Sequence, residues 1–291
     1  MTNEILRLNP DEVTRLFTEG EMEVFTTPAP NIEQARSIFG RDFLGPEAIE
    51  QAFDIKIPSS EIPEIPFSQE ELERAKKLGQ FLILRVRKTS DGEPLTILKM
   101  LPLIEDYIYR ERKEDFFKPL WGNTNTKDRP FSVHTPKSGW ALILKGVIPG
   151  STNKNYLEQT DVLSDYLRRT VFAGTTMPTH YKDAIDEFNS KKEEISNLTK
   201  GSLTEARALL QLKLNKLNRQ TSVEAVYDIA VYFLNNDSLF SENTSTWTTT
   251  LVQTDSGKII SVGVSLGGIT IGESSPNVAY DQLGVTFSRY L

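Results

Sequence analysis

The chain has 291 residues, with 33 Lys and Arg against 40 Asp and Glu and a formal net charge of -7. Hydrophobic residues at 38% and charged residues at 25% are globular proportions and exclude a disordered or fibrous chain. There is no cysteine and there are only two histidines, His134 and His180, which excludes disulfides, thiolate metal sites and His-rich metal clusters. The acidic balance argues against nucleic acid as a partner. No apolar run approaches the roughly 18 residues of a membrane span. The start, Met1 to Leu8, lacks the basic-then-apolar build of a secretory signal. No signal peptide is therefore expected, and a cytoplasmic or particle-associated location fits the chain equally.

The elements follow in chain order. Pro10-Asp11-Glu12-Val13 reads as a short helix start. Asn31 is a cap candidate for a helix from Ile32 to Phe39, ended by Gly40. Pro46 opens a second short helix reaching about Phe53. Phe53, Ile55 and Ile57 alternate with polar residues, as in a strand. Pro58, Pro63 and Pro66 then make an extended connector lying along a surface. Ser68 and Glu71 form a capping box for a helix to Leu78. Phe81 to Val86 is a strong strand. Pro94 opens a helix to Leu101, Pro102 ends it, and another helix runs from Ile104 to Arg112. Phe116, Phe117, Leu120 and Trp121 form an aromatic patch suited to core packing.

Trp140 to Pro149 contains a second strong strand, and Asn153 or Asn155 caps a helix from Tyr156 to about Phe172. A charged helix spans Pro178 to Leu198, and a further one runs from Ser202 to about Leu217. Thr221 and Glu224 form another capping box, opening a strongly apolar helix from Ser222 to Leu234. From Asn243 onward Lys and Arg nearly vanish, leaving Lys258 and Arg289. Trp247 to Val252 and Lys258 to Val264 read as a hairpin about Asp255-Ser256-Gly257. Gly267-Gly268 turns into a strand at Ile269 to Ile271. A polar loop, Glu273 to Gln282, precedes a closing strand, Leu283 to Arg289, whose alternation predicts one buried and one exposed face. The fold class is α+β, a helix-rich body followed by an antiparallel C-terminal sheet.

Chemistry-bearing motifs are scarce. There is no Gly-x-Ser-x-Gly elbow to make a hydrolytic triad with His134 or His180. Gly146 to Lys154 joins a strand to a helix but lacks a Gly-Lys-Ser/Thr ending, and Pro149 removes a donor. Asp237 and Glu242 flank a loop without the alternation of a calcium site. No catalytic residue, cofactor or metal ligand is assigned, and binding is favoured over catalysis. The surface best suited to contact is at the C-terminus, where Thr270, Glu273, Ser274, Ser275, Asn277, Tyr280 and Asp281 combine short polar groups with a tyrosine.

Arg219-Gln220-Thr221-Ser222-Val223-Glu224-Ala225-Val226-Tyr227-Asp228-Ile229-Ala230 resembles the Arg-Leu-Pro-Thr-Glu-Ala-Glu-Trp-Glu helix start of formylglycine-generating-enzyme-like proteins, a branch of the C-type lectin fold. Thr221 or Ser222 stands where those proteins have Pro, and Val226 or Tyr227 where they have Trp. Thr246-Trp247-Thr248-Thr249 resembles the Trp-Thr-Ser strand that follows, and Leu283 to Arg289 resembles the final strand ending in Arg.

The resemblance implies a C-type-lectin-like domain over residues 81–291 behind a helical extension over residues 1–80. The catalytic members use a cysteine pair, so their activity does not carry over to this cysteine-free chain. The remaining likeness is to the non-catalytic variable proteins of diversity-generating retroelements, which display mutable residues for ligand or receptor binding. Their display region would fall between Ser261 and Asp281, adding Ser261 to the candidate contacts. Trp247, Phe287 and Arg289 are expected as scaffold, with Arg289 meeting buried carbonyls. The implied partner is a protein or glycan on another surface. The alternative is a structural subunit of a viral or cellular particle whose helical N-terminal half drives homo-oligomerisation.

Overall fold

The computed structural model describes residues 30–112, 120–121, 129–238, 240, 243–252, 256–265 and 268–290. The expected helix at Pro10 lies outside these residues, as do the side chains of the patch at Phe116 to Trp121. The first half comprises α1 (Ile32–Phe39), β1 (Phe43–Leu44), α2 (Pro46–Phe53), α3 (Gln69–Lys77) and β2 (Gln80–Arg85). It continues with α4 (Ile97–Arg112), β3 (Leu120–Trp121), α5 (Arg129–Val133), β4 (Gly139–Leu144) and α6 (Tyr156–Tyr166). A π-helical turn, Leu167–Val171, extends α6. The helices α7 (Thr179–Ser196), α8 (Leu203–Gln211), α9 (Lys213–Asn218) and α10 (Ser222–Asn236) follow. The strands β5 (Ser245–Leu251), β6 (Ile259–Ser265), β7 (Gly268–Ser274), β8 (Leu283–Gly284) and β9 (Ser288–Tyr290) complete the chain. Among the described residues, no helix is long and apolar enough to cross a membrane.

The architecture is mixed α+β with two sheets, ordered β1-β2-β4-β9 and β3-β7-β6-β5-β8. Strands β5, β6 and β7 form the expected antiparallel meander. The outer strands β3 and β8 run parallel to their neighbours, so the C-terminal sheet is antiparallel only at its centre. Four helices begin at capping boxes, on Asn31, Ser68, Asn155 and Thr221, each with Gln or Glu at the third helical position. Each box satisfies backbone donors that a helix start leaves open.

Several expected elements are reshaped by packing. Pro102 does not end a helix but lies inside α4. Its lost backbone bond is outweighed by burial of Met100, Leu101 and Ile104 in the main core. The helix expected to reach Leu217 breaks at Leu212, whose extended dihedrals (φ -55, ψ 127) separate α8 from α9. Residues 53–57 are not a strand: Phe53 ends α2, and Asp54 turns left-handed at φ 56. The closing strand is two short ones, because Leu283–Gly284 pair with β5 while Ser288–Tyr290 pair with β4. Residues 285–287 cross between the sheets, and Leu283 to Arg289 are buried throughout, without an exposed face.

The layers follow from side-chain alternation. On β2 and β4, Leu82, Leu84, Trp140 and Leu142 pack with Ala35, Phe39, Leu72 and Ala75. The helices of the expected N-terminal extension therefore share a core with the first sheet. Phe81, Ile83, Ala141 and Ile143 face the other way, into the main core. That core also receives Ile260, Val262, Val264, Ile269 and Ile271 from the second sheet. Helix α10 packs against both sheets, touching β1, β5 and β6 as well as α2, α4 and α5. Every residue from Ser222 to Leu234 is buried, the charged Glu224 and Asp228 included. A third core joins α6 to α9 with Trp247, Leu283, Val285 and Phe287.

The main core encloses charge. Arg85 on β2 and Asp228 on α10 are 1% and 0% exposed. Arg85 donates from Nε to one Asp228 oxygen at 2.9 Å and from Nη2 to the other at 2.5 Å. Glu224 lies 3.5 Å from Arg85 Nη1, and Gln220 Nε2 donates to Asp228 at 2.6 Å. Burial disfavours the charge on Arg85, but Asp228 and Glu224 outweigh it and hold the guanidinium above its ordinary pKa. Burial likewise opposes ionised Glu224, but the Arg85 charge keeps that carboxyl below its ordinary value. Tyr227 hydroxyl donates to the Leu84 carbonyl at 3.0 Å, so two successive residues of α10 grip β2.

Removing one member of such a cluster strands its partner. The variant Arg85→Met is expected to lose about 3–5 kcal/mol of folding stability. The double variant Arg85→Met/Asp228→Leu should recover part of that loss. Urea unfolding measures both, and a single-variant loss under about 1 kcal/mol would mean the pair is not the clamp described here.

Candidate contact surface

The sequence-derived contact residues divide by backbone register. Ser261 pairs with Gly272, Gly263 with Thr270 and Ile259 with Ser274, which places Thr270 and Ser274 on one face of the sheet. Directly opposed antiparallel residues share a face. Ser261 shares that face but is buried, at 9% exposure, opposite both Trp247 and Gly272. Glu273 pairs with Ile260 and falls on the other face, where its carboxylate meets Lys258 Nζ at 2.9 Å. Thr270 and Ser274 are half-buried. Asn277, Tyr280 and Asp281 are exposed, and Tyr280, at 48%, is one of two exposed large hydrophobic residues among those described.

The loop carrying these three is held by its backbone. Val278 N–H donates to the Ser275 carbonyl at 3.1 Å, and Leu283 N–H donates to that of Tyr280 at 3.1 Å. Tyr156 N–H, at the start of α6, donates to the Pro276 carbonyl at 2.9 Å. Asn153 N–H donates to the Tyr280 carbonyl at 3.0 Å, and Ser245 N–H to that of Gln282 at 2.7 Å. Ser275 Oγ donates to Asn277 Oδ1 at 2.6 Å. With the carbonyls of Pro276, Tyr280 and Gln282 tied to the body, Asn277, Tyr280 and Asp281 are left exposed.

A buried polar network supports the anchor. Tyr156 hydroxyl donates to the Thr248 carbonyl at 3.1 Å, and its ring meets Trp247 edge-on at 5.7 Å. Arg219 lies over the Tyr156 ring, 4.0 Å from its centre, and donates from Nε to Asn215 Oδ1 at 2.9 Å. Gln159 Nε2 donates to the Leu283 carbonyl at 2.9 Å. Burial pushes the Tyr156 hydroxyl up to about 12, against the pull of Arg219. The same burial draws the Arg219 pKa down. The crossing segment is fixed as well: Val285 N–H donates to Ser151 Oγ at 3.1 Å and Thr286 N–H to Thr246 Oγ1 at 2.9 Å.

The turn before α8 completes the surface. Gly257 has φ +64, and a Cβ there would lie 2.5 Å from the Ser202 carbonyl carbon. Gly201, at φ +72, would meet Ser275 Oγ at 2.8 Å. The sequence marks Asn153 only as a cap candidate and gives no sign that Asn153 and Gly201 meet the C-terminal loop. Arg289, expected to meet buried carbonyls, instead ion-pairs with Glu71 of α3.

Catalytic groups are not gathered here. His134 and His180 are both exposed, and the His180 ring lies tilted at 42° against Tyr181 with ring centres 4.4 Å apart. Among the described residues, no three His, Cys, Asp or Glu side chains are placed to hold a metal ion. Comparison with protein-family models, curated proteins and solved structures returned no match.

Scaffold and display positions should separate on mutation. Tyr280→Ala is expected to change stability by less than about 0.5 kcal/mol. Gly257→Ala should cost more than about 1 kcal/mol, through its positive φ and the clash with Ser202. Thermal unfolding of the two variants checks this, and the reverse order would place Tyr280 in the packing.

Proposed function

We propose that the protein is a non-catalytic recognition protein, with a C-type-lectin-like scaffold presenting the loop Ser275–Gln282 to a protein or glycan on another surface. The observation that carries this reading is the contrast within that loop. The carbonyls of Pro276, Tyr280 and Gln282 accept from Tyr156, Asn153 and Ser245 outside the loop, while Tyr280, Asn277 and Asp281 face solvent. A backbone fixed before contact lowers the ordering cost of binding. Tyrosine supplies contact area with few rotatable bonds, and Asn and Asp supply adaptable hydrogen bonding.

The lectin-like part of the proposal draws support from the order of elements after residue 219. The capped helix α10, the Trp247 strand β5, the meander through β6 and β7, the polar loop and the final strand succeed one another as the resemblance implies. The pairing of β9 with β4 brings the end of this region beside a strand that precedes α6 to α10 in the chain. Ser261 and Glu273 are left out of the proposed contact set, the first by burial and the second by its ion pair with Lys258.

The test is a screen of the full chain against immobilised glycans and a cell-surface protein library, repeated with loop variants. For a captured partner, Tyr280→Ala should cost about 1–3 kcal/mol in binding while leaving the fold intact. Undiminished binding by Tyr280→Ala, Asn277→Ala and Asp281→Ala would place recognition elsewhere.

A further inference from the structure

A cleft of about 670 Å³ opens between α3, the π-helical turn and the first sheet. That size suits a small organic molecule. Leu142, Val171, Phe172 and Phe287 give it an apolar lining, and Arg289 reaches it from β9. Arg289 is 5% exposed. It donates one hydrogen bond, from Nη2 to Glu71, and its Nε is buried without an acceptor. A guanidinium carries five N–H donors, and buried donors left unmatched are costly.

The surroundings of Arg289 leave its Nε unmatched. Its guanidinium carbon lies 5.2 Å from the Phe67 ring centre and 5.5 Å from that of Phe172. Aromatic faces stabilise the charge but do not replace in-plane acceptors. Tyr181 lies alongside, its ring centre 6.0 Å from the guanidinium carbon, and its hydroxyl is also buried without a partner. Burial pushes that hydroxyl up to about 12, against the pull of Arg289, so it stays neutral; its oxygen lies near the guanidinium without completing a well-formed hydrogen bond, and Arg289 Nε keeps no acceptor. Arg74, on the cleft wall, donates to the carbonyls of Val171 and Ala173 at 3.2 and 2.6 Å. It thereby fixes the end of the π-helical turn, a device that recurs at functional sites.

Charge selects the ligand. The lining holds Glu70, Glu71 and Glu73 against Arg74, Lys77 and Arg289, a balance of three and three. A neutral lining with glutamates present accepts one added negative charge more readily than two. Glu71 cannot supply the missing acceptor by moving, because its other oxygen accepts from Ser68 N–H at 2.9 Å in the α3 capping box. We propose that this cleft binds a small organic acid, one carboxylate on an apolar body, with the carboxylate accepting from Arg289 and the body lying against Val171, Phe172 and Phe287. This site is separate from the contact loop and does not depend on the recognition reading.

The experiment titrates benzoate into the full-length, isotope-labelled chain and follows backbone amide resonances, with benzamide and phenyl phosphate as matched probes. Benzoate should produce saturable shifts at Thr170–Thr176 and Phe287–Tyr290. Benzamide, lacking the charge, should bind at least about tenfold more weakly, and phenyl phosphate should also bind more weakly. Arg289→Gln should abolish the benzoate shifts. If that variant loses its dispersed spectrum, Thr176→Trp, at an exposed position on the cleft wall, should weaken benzoate binding by obstruction with the fold intact. Equal binding of benzoate and benzamide, tighter binding of phenyl phosphate, absence of saturable benzoate shifts, or unchanged binding by Arg289→Gln or Thr176→Trp would each overturn the proposal.

Discussion

The structure depends on burying one helix from every side. Helix α10 lies between two sheets, with α2, α4 and α5 around it, and every residue from Ser222 to Leu234 is buried. A helix so placed has no free face to set its rotation, and apolar contact alone is non-directional. Direction comes from polar groups. The bidentate Arg85–Asp228 pair and the Tyr227–Leu84 hydrogen bond fix α10 against β2. At its start, Ser222 N–H donates to Thr250 Oγ1 at 2.9 Å, and Thr249 N–H donates to the Gln220 carbonyl at 2.9 Å. These bonds register the helix against both sheets at once.

The same logic extends to the chain's end. Residues 283–290 leave the second sheet at β8 and join the first at β9, so the C-terminal segment stitches the two sheets together. Ser151, Thr246 and Gln159 each spend a side-chain hydrogen bond on this crossing. The loop just before it inherits that rigidity, because the carbonyls of Pro276, Tyr280 and Gln282 are held by residues 156, 153 and 245. Stability and presentation are thus coupled: the segment that closes the core also fixes the outward direction of Tyr280.

Much of this was legible locally. The capping residues Asn31, Ser68 and Thr221, the strands at Phe81 and Trp140, and the meander after Asn243 were read from neighbours a few residues apart. The strongly apolar helix from Ser222 to Leu234 is also found, as α10. What escaped were contacts set by tertiary packing. Pro102 reads as a helix end, yet the burial around it carries α4 through. Leu283 to Arg289 reads as one half-exposed strand, yet each end has a different sheet to join. The contact loop was visible as a polar segment. Its anchors were not, since Asn153 and Tyr280 meet only across the folded chain. Ser261 and Glu273 show the limit of composition: their types suit a surface, and register decides their surroundings.

Amide hydrogen exchange shows whether the presenting loop shares the stability of the buried helix. The amides of Asn153, Tyr156, Ser245 and Leu283 should open only with the core, with protection close to that in the middle of α10. Exchange of these four amides at rates typical of a fraying loop, while α10 stays protected, would contradict that shared stability.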